Sequence, residues 1–466
     1  MTIIYVPTEA CNYKCAYCFE PENQRCGLDI KYDAEAMKKS LKEVWEGPYS
    51  GSSLCLHGGE PTLIPRRELE SQLEFLHSFS GAVSIVTNGS RIDDHMISLF
   101  KKYNVYVAIS CDGPPELNTL RGPNPSDPVA TAEYNRQLQD TIFKLRAAGI
   151  WVSIMCILHK GNVSTPEKIE KMKTWMLNLK TLNIKGGRMN LMYASKPQKH
   201  HELTTEEASR AWIELYEFNK ENSLHWNPFR EMVSNILGAK LSPCVYCRCD
   251  VFSTHTLSIL PDGTIGNCDR TFQNDIYLRS LSGSRSGRYE SLQQTQCKDC
   301  KYWVVCNGSC PEEGADGDWR NKSRFCQVIY NLYSRIERDL RGILPNIRLV
   351  IDAEFDGNPF TGVVQTIQPR KRDFSTLPGG TEHGDASHGD SGHGDAHHGD
   401  SNHGDSTHGD SMHGDLYHGD STHGDANHGD SGHGDSTHGD LGHGDSTHGD
   451  SDHGDSSHGD TPDWRK

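Results

Sequence analysis

The sequence predicts an α/β fold: a partial (β/α)6 barrel, followed by a cysteine-rich segment and a repetitive tail. Three observations carry this. Residues 1–240 alternate short β-branched or apolar runs with longer helix-like segments. All 16 cysteines lie between Cys11 and Cys326. From His383 onward, His-Gly-Asp recurs every five residues.

Taken in order, the strand candidates are Ile3–Pro7, Ser53–His57, Val83–Thr87, Val105–Ser110, Trp151–Leu158 and Gly187–Met192. Helix candidates between and after them include Asp33–Glu46, Arg67–Phe79, Ala130–Ala148 and Pro166–Leu179. Regular strand–helix alternation, with little patterning inside each strand, indicates a parallel sheet covered on both faces. About six such units favour an open or partial barrel over a closed eight-fold one. Parallel α/β folds gather their ligands at the carboxyl ends of strands. Residues 240–330 are dense in cysteine and poor in periodicity, so metal is expected to hold them together. Residues 331–345 read as a short closing helix, and a linker composition begins near Pro369. The tail holds 16 copies of His-Gly-Asp between His383 and His458. A period of five matches neither helix nor strand, and almost nothing there is apolar, so disorder is expected.

The formal net charge of −16 belongs to the tail, where residues 381–466 hold 19 acidic side chains against Arg465 and Lys466. The body is close to neutral, so no basic field points to a nucleic-acid partner. No apolar run reaches the ~18 residues of a membrane span. The N-terminal residues lack the pattern of a signal peptide. A cytoplasmic location follows as the expectation, and there disulfides are disfavoured. The cysteines are therefore metal ligands or reactive thiols, and spacing decides between them.

Cys11, Cys15 and Cys18 form Cys-x3-Cys-x2-Cys directly after the first strand. Three thiolates can hold three irons of a [4Fe–4S] cube and leave the fourth open; a zinc site short of one ligand is the simpler alternative. Four further motifs follow strands in order: Tyr17 before the last cysteine, Gly58-Gly59-Glu60-Pro61, Thr87-Asn88-Gly89, and Ser110-Cys111-Asp112-Gly113-Pro114 with Arg121 shortly after. In this series the chain resembles the radical S-adenosylmethionine (SAM) superfamily, whose fold is a partial TIM-like barrel. The resemblance implies that Tyr17 packs on the adenine and that Gly58, Gly59 and Glu60 approach the SAM amino group. It places Asn88 in the motif after the third strand and Ser110 and Asp112 near the ribose or methionyl group. Arg121 would pair with the SAM carboxylate. The implied chemistry is hydrogen abstraction by a 5′-deoxyadenosyl radical, with an electron donor such as flavodoxin or ferredoxin as partner.

Cys297, Cys300, Cys306 and Cys310 give Cys-x2-Cys-x5-Cys-x3-Cys, with Gly263-x4-Cys268 upstream and Cys326 downstream. This order resembles the SPASM extension of radical SAM enzymes that act on peptides and proteins. It implies two auxiliary [4Fe–4S] clusters, three clusters in all. One would take Cys244, Cys249, Cys268 and Cys310, leaving Cys247 spare; the other would take Cys297, Cys300, Cys306 and Cys326. Cys26, Cys55, Cys111 and Cys156 read as small core residues. Asp269 occupies the position of the base in the related sulfatase maturases, where a carboxylate can take the proton released as a bond forms; a structural Asp is the plainer reading. Arg188, read at the end of the sixth strand, can anchor a carboxylate or form a plain surface salt bridge.

The expected organisation is a radical SAM domain over 1–240, a SPASM domain over 241–345, a linker over 346–382 and the repeat tail over 383–466. The expected function is peptide maturation through a radical crosslink, with a peptide partner that is either the chain's own repeats or a separate precursor. Three-residue cyclophane formation fits the repeats, because His-Gly-Asp supplies an aromatic ring, a spacer and an abstractable Cβ hydrogen. A fused substrate would need no leader-binding domain, and the chain begins almost at its first strand. Two other readings of the tail stay open: a buffer for divalent metals and a solubilising linker. Formylglycine formation, as in sulfatase maturases, is the alternative activity. A metal-storage or sensor protein is the non-enzyme alternative, opposed by the intact SAM motifs.

Overall fold

The computed structural model describes residues 2–18, 32–47, 49–192, 196–239, 256–266, 268 and 284–353. The chain divides into two units, Met1–Gly379 and Gly380–Lys466, and every described residue lies in the first. The repeat tail, Cys26, Cys244, Cys247, Cys249 and Asp269 lie outside the described residues.

Among the described residues, eight strands form one sheet: β1 (Thr2–Thr8), β2 (Ser53–Gly58), β3 (Val83–Thr87), β4 (Val105–Ser110), β5 (Val152–Leu158), β6 (Gly187–Leu191), β7 (Thr256–Ile259) and β8 (Ile265–Gly266). Their spatial order is β6-β5-β4-β3-β2-β1-β7-β8. The first seven pair in parallel, and β8 runs antiparallel to β7. β6 and β8 are the outer strands, so the sheet is open, a partial barrel. Each of the six expected strands is present, with bounds shifted by at most a residue or two. β7 and β8 add to the free edge of β1, an extension the low periodicity of the cysteine-rich segment concealed. Leu257 and Ile259 of β7 are fully buried.

The two faces of the sheet differ, contrary to the expectation of uniform burial. Ile3, Tyr5, Leu54, Leu56, Val83, Ile85, Val107, Ile109, Ile154 and Met189 are buried in the main core. The alternate positions, among them Ile4, Cys55, His57, Ser84, Tyr106, Ser153, Met155, Arg188 and Asn190, are only partly buried. Right-handed crossovers place the helices on one side of the sheet. The other side lines the lumen of the partial barrel, which tolerates polar side chains.

Helices start where a side chain can satisfy the free N–H groups of the first turn. Asp33 caps Ala34–Trp45, Asp93 caps Asp94–Lys102, Asp127 caps Pro128–Ala147 and Thr165 caps Pro166–Thr181. Thr204 and Glu207 form a capping box at the head of Thr205–Glu221. The Asp94–Lys102 helix was not among the expected elements because it is short, although its buried Met96, Leu99 and Phe100 have helical spacing. The closing helix spans Cys326–Ile343, beginning earlier than expected, and buries Val328, Ile329, Leu332, Tyr333 and Ile336. It is tied to Thr205–Glu221 by Asn331 donating to Ser209 at 3.0 Å and by the Lys220–Asp339 ion pair at 2.7 Å. Tyr302, Val305, Cys310 and Phe325 belong to the same hydrophobic core as the barrel strands. No helix among the described residues is long and apolar enough to cross a membrane.

Candidate active site and cluster sites

β1 delivers the chain to the first cysteine loop, and close backbone approach fixes that loop. Gly59 N–H donates to Thr8 O at 3.0 Å, and Glu60 N–H to Ala10 O at 2.9 Å. A Cβ on Gly58 would lie 2.3 Å from Thr8 O, and one on Gly59 2.3 Å from Ala10 O. Glycine is therefore required at both positions for β2 to end against β1. On its other side the loop is strapped by Lys14 N–H to Gly122 O at 2.9 Å and Ala16 N–H to Leu120 O at 2.8 Å.

The three cysteines are each partly buried. Burial pushes the Cys11 thiol up to about 12 and raises that of Cys15, where Arg121 opposes the shift. Thiols in such a place become good ligands when a cation supplies the charge that stabilises the thiolate. No three His, Cys, Asp or Glu side chains among the described residues converge on a single point. A four-iron cube does not require this, since each thiolate takes its own iron. The all-thiol donor set fits iron–sulfur chemistry.

Glu60 is fully buried and densely hydrogen-bonded. Its carboxylate accepts from Thr62 N–H at 3.1 Å, Thr62 Oγ1 at 2.6 Å, Thr87 Oγ1 at 2.7 Å and Asn88 N–H at 2.6 Å. Burial raises its pKa, and these donors pull it back down. In this structure the motif carboxylate joins the ends of β2 and β3. Asn88 continues the linkage, donating to Asn12 Oδ1 in the cysteine loop at 2.9 Å.

Tyr17, Asp112 and Arg121 meet at the ends of β4 and β5. Tyr17 OH donates to Asp112 Oδ2. Arg121 Nε donates to the same oxygen at 3.3 Å, and its Nη2 to Oδ1 at 3.4 Å. Ile157 N–H donates to Oδ1 at 2.9 Å. Arg121 also lies 5.4 Å from the Tyr17 ring centre. Tyr17 packs beside Met192 and Ile157, and so covers the lumen face of β5 and β6. Ser110 is buried at the end of β4, its carbonyl accepting from Tyr134 OH at 3.4 Å.

Two residues here escaped the sequence reading. His159 directly follows β5, and Asn162 donates to Asp112 O at 2.9 Å and Ile157 O at 2.8 Å. The available signal was position: like the recognised motifs, His159-x2-Asn162 falls at the carboxyl end of a strand. For Arg188 the salt-bridge reading holds and the placement is corrected. It stands near the start of β6, away from the ligand-binding end, and is paired with the buried Glu231.

A second group of thiols forms at the base of the closing helix. Cys297, Cys300, Cys306 and Cys326 are close enough for their charges to couple, and burial raises the thiol pKa of Cys297, Cys306 and Cys326, that of Cys297 to about 11. Asn307, Gly308 and Ser309 are all left-handed, which turns the chain between Cys306 and Cys310. The buried Arg288 guanidinium braces that turn, donating to carbonyls of Asn307, Gly308, Ser309, Trp319 and Asn321. Cys310 is buried, and Cys268 lies just past β8.

An open parallel barrel with a thiol loop beyond β1 and a buried polar cluster at its strand ends defines a cofactor-dependent α/β enzyme. Residues 5–175 match the Radical SAM superfamily: the chain carries a radical SAM domain, the class of enzyme that works with SAM and a [4Fe–4S] cluster. A cysteine-type anaerobic sulfatase-maturating enzyme of Clostridium perfringens is 22% identical over 340 residues, covering 66% of this chain and 88% of that protein. A serine-type anaerobic sulfatase-maturating enzyme of Bacteroides thetaiotaomicron is 20% identical over 373 residues, covering 70% and 86%. Among solved structures, native anSMEcpe with bound AdoMet and Cp18Cys peptide superposes with a TM-score of 0.57 at 19% identity, over 73% of this chain and 99% of that one. That likeness concerns the fold.

Proposed function

We propose that this enzyme is a peptide maturase that crosslinks His to Asp within the His-Gly-Asp units of its own tail. The observation that carries the peptide-directed reading is the Cys297, Cys300, Cys306 and Cys326 group, a thiol set separate from the one beyond β1. Relatives named as sulfatase-maturating enzymes support the same class of substrate. The sixteen regular repeats in the same chain supply a candidate peptide.

In this proposal Cys11, Cys15 and Cys18 hold the cluster that works with SAM. Cys297, Cys300, Cys306 and Cys326 hold one auxiliary cluster, and Cys244, Cys249, Cys268 and Cys310 the other. When bound, SAM and a reduced cluster held by Cys11, Cys15 and Cys18 would supply radical hydrogen abstraction, directed in this reading at the Asp β-carbon. Tyr17 would pack on the adenine, braced by its hydrogen bond to Asp112, which Arg121 holds in turn. Closure of the His ring onto that carbon would release a proton, for Asp269 to accept, and an electron, for which clusters held by the auxiliary thiols would be the acceptor. Tethering keeps the effective concentration of repeats high, and the middle Gly admits the backbone angles of a tight ring.

The test is intact-mass analysis of the tail after incubation with SAM and reductant. The expected result is the loss of two hydrogens per modified unit, absent when Cys11, Cys15 and Cys18 are replaced by Ala. An unchanged tail beside active SAM cleavage rejects the fused-substrate reading. The second reading, formylglycine formation, is favoured by the relatives' names and predicts oxidation of a Cys or Ser in a sulfatase-derived peptide instead. A metal-buffer tail predicts unmodified repeats that bind several divalent ions and release them as the imidazoles protonate near pH ~6.

A further inference from the structure

His159 is completely buried, yet one of its ring nitrogens has no partner. The other, Nδ1, accepts the Gly161 N–H at 2.9 Å. That bond settles the tautomer of the neutral ring: Nδ1 is the acceptor, so Nε2 carries the hydrogen. Burial holds the imidazole pKa down at about 4, so the ring is neutral at physiological pH. Nε2 lies 3.9 Å from Asp112 Oδ2, too far for a hydrogen bond. Asp112 is in any case already supplied by Tyr17, Arg121 and Ile157.

The ring is held firmly. His159 is the N-cap of Lys160–Val163, and its backbone N–H donates to Asn162 Oδ1 at 2.8 Å. A Cβ on Gly161 would come within 2.7 Å of the imidazole, so only glycine admits the ring there. A buried donor without an acceptor costs roughly 1–3 kcal/mol, and such orphans call for an explanation. This one lies where a ligand is expected: its ring centre is 5.6 Å from that of Tyr17, at the carboxyl end of β5.

We infer that His159 is an adenosyl-binding residue of this enzyme, its Nε2–H donating a hydrogen bond to an acceptor atom on the adenosyl group held against Tyr17. The inference rests on the radical SAM reading and adds to it a donor that none of the sequence motifs contains. It also explains the construction of the Lys160–Val163 turn. Gly161 and Asn162 fix the ring from one side and leave its Nε2–H unspent.

His159→Asn and His159→Gln separate this role from plain capping. Asn keeps an oxygen for the Gly161 N–H and is a good N-cap, but it deletes the distal donor. Gln places an N–H close to the distal position and gives up the near acceptor. Dissociation constants of SAM, S-adenosylhomocysteine and 5′-methylthioadenosine are measured by equilibrium dialysis on the reconstituted holoenzyme, with iron content and ligand-free Tm alongside. The expected result is about tenfold weaker binding of all three ligands to the Asn variant, the scale of one lost buried hydrogen bond. Its iron content should match wild type, its ligand-free Tm should not fall, and Gln should recover most of the affinity. Wild-type affinity in the Asn variant overturns the proposal. So does a ligand-free Tm that falls in the Asn variant while affinity does not. If iron-replete wild type binds none of the three ligands, the radical SAM reading fails too, a result distinguishable because it does not depend on the variants.

Discussion

The Arg121 guanidinium lies along the Asp112 carboxylate, Nε 3.3 Å from Oδ2 and Nη2 3.4 Å from Oδ1, with both side chains almost shut off from solvent. Breaking a buried pair from one side leaves the other charge uncompensated, at a cost of about 3–5 kcal/mol. Asp112→Asn should lower unfolding stability on that scale in urea titrations. Adding Arg121→Met should recover more than half of the loss, because no buried charge then remains. A silent Asp112→Asn variant would show that water reaches the pair.

Glu60 gives a second prediction. All four donors around its carboxylate point inward, so Glu60→Gln sets an amide N–H against at least one of them. The expected cost is about 2–3 kcal/mol, from a buried donor facing a donor. A lowered Tm in the ligand-free protein is the signature of the structural role seen here. Unchanged Tm with weakened SAM binding would return Glu60 to the direct ligand contact that its motif suggests.

The third prediction concerns pH. The His159 imidazole falls from an ordinary value of 6.5 to about 4 in the folded protein. Between those values the unfolded chain binds the proton and the folded one does not. Stability contributed by neutral His159 is therefore present above about pH 6.5 and falls as the pH drops towards 4. The full effect is on the order of 3 kcal/mol. Subtracting the pH profile of His159→Asn from that of wild type, by circular dichroism in urea, should isolate this slope. A flat difference would mean that folding leaves the proton affinity of His159 unchanged.

Iron content tests the thiol groups. Reconstituted protein should hold about twelve irons, from three four-iron clusters. Replacing Cys11, Cys15 and Cys18 by Ala should remove about four and end SAM cleavage. Cys326→Ala should also remove about four, while leaving SAM cleavage in place. Loss of every iron in the Cys326 variant would mean that the sites do not assemble independently.

Asp269→Asn is a chemical test. If Asp269 takes the proton released on bond closure, the variant should still convert SAM to 5′-deoxyadenosine but form product about 10²-fold more slowly. Normal product yield would assign Asp269 a structural role.

The barrel strands were legible because β-branched runs and turn residues mark a parallel sheet locally, as in Val83–Thr87 and Val105–Ser110. The cysteine spacings were legible for a similar reason: one loop supplies Cys11, Cys15 and Cys18, so their order already encodes their proximity. The sequence by itself therefore determined the open α/β barrel, the thiol loop beyond its first strand and the motifs at the strand ends. Only the tertiary structure decided what those motif side chains do to one another. Glu60 is enclosed by Thr62, Thr87 and Asn88, Arg121 is committed to Asp112, and the His159 ring, with its orphan nitrogen, lies 5.6 Å from the Tyr17 ring. Hydrogen-bond saturation depends on which groups from distant segments share a buried space, and no local pattern records that. The same holds for β7, which joins β1 across more than two hundred residues because the edge of β1 leaves backbone groups to be paired.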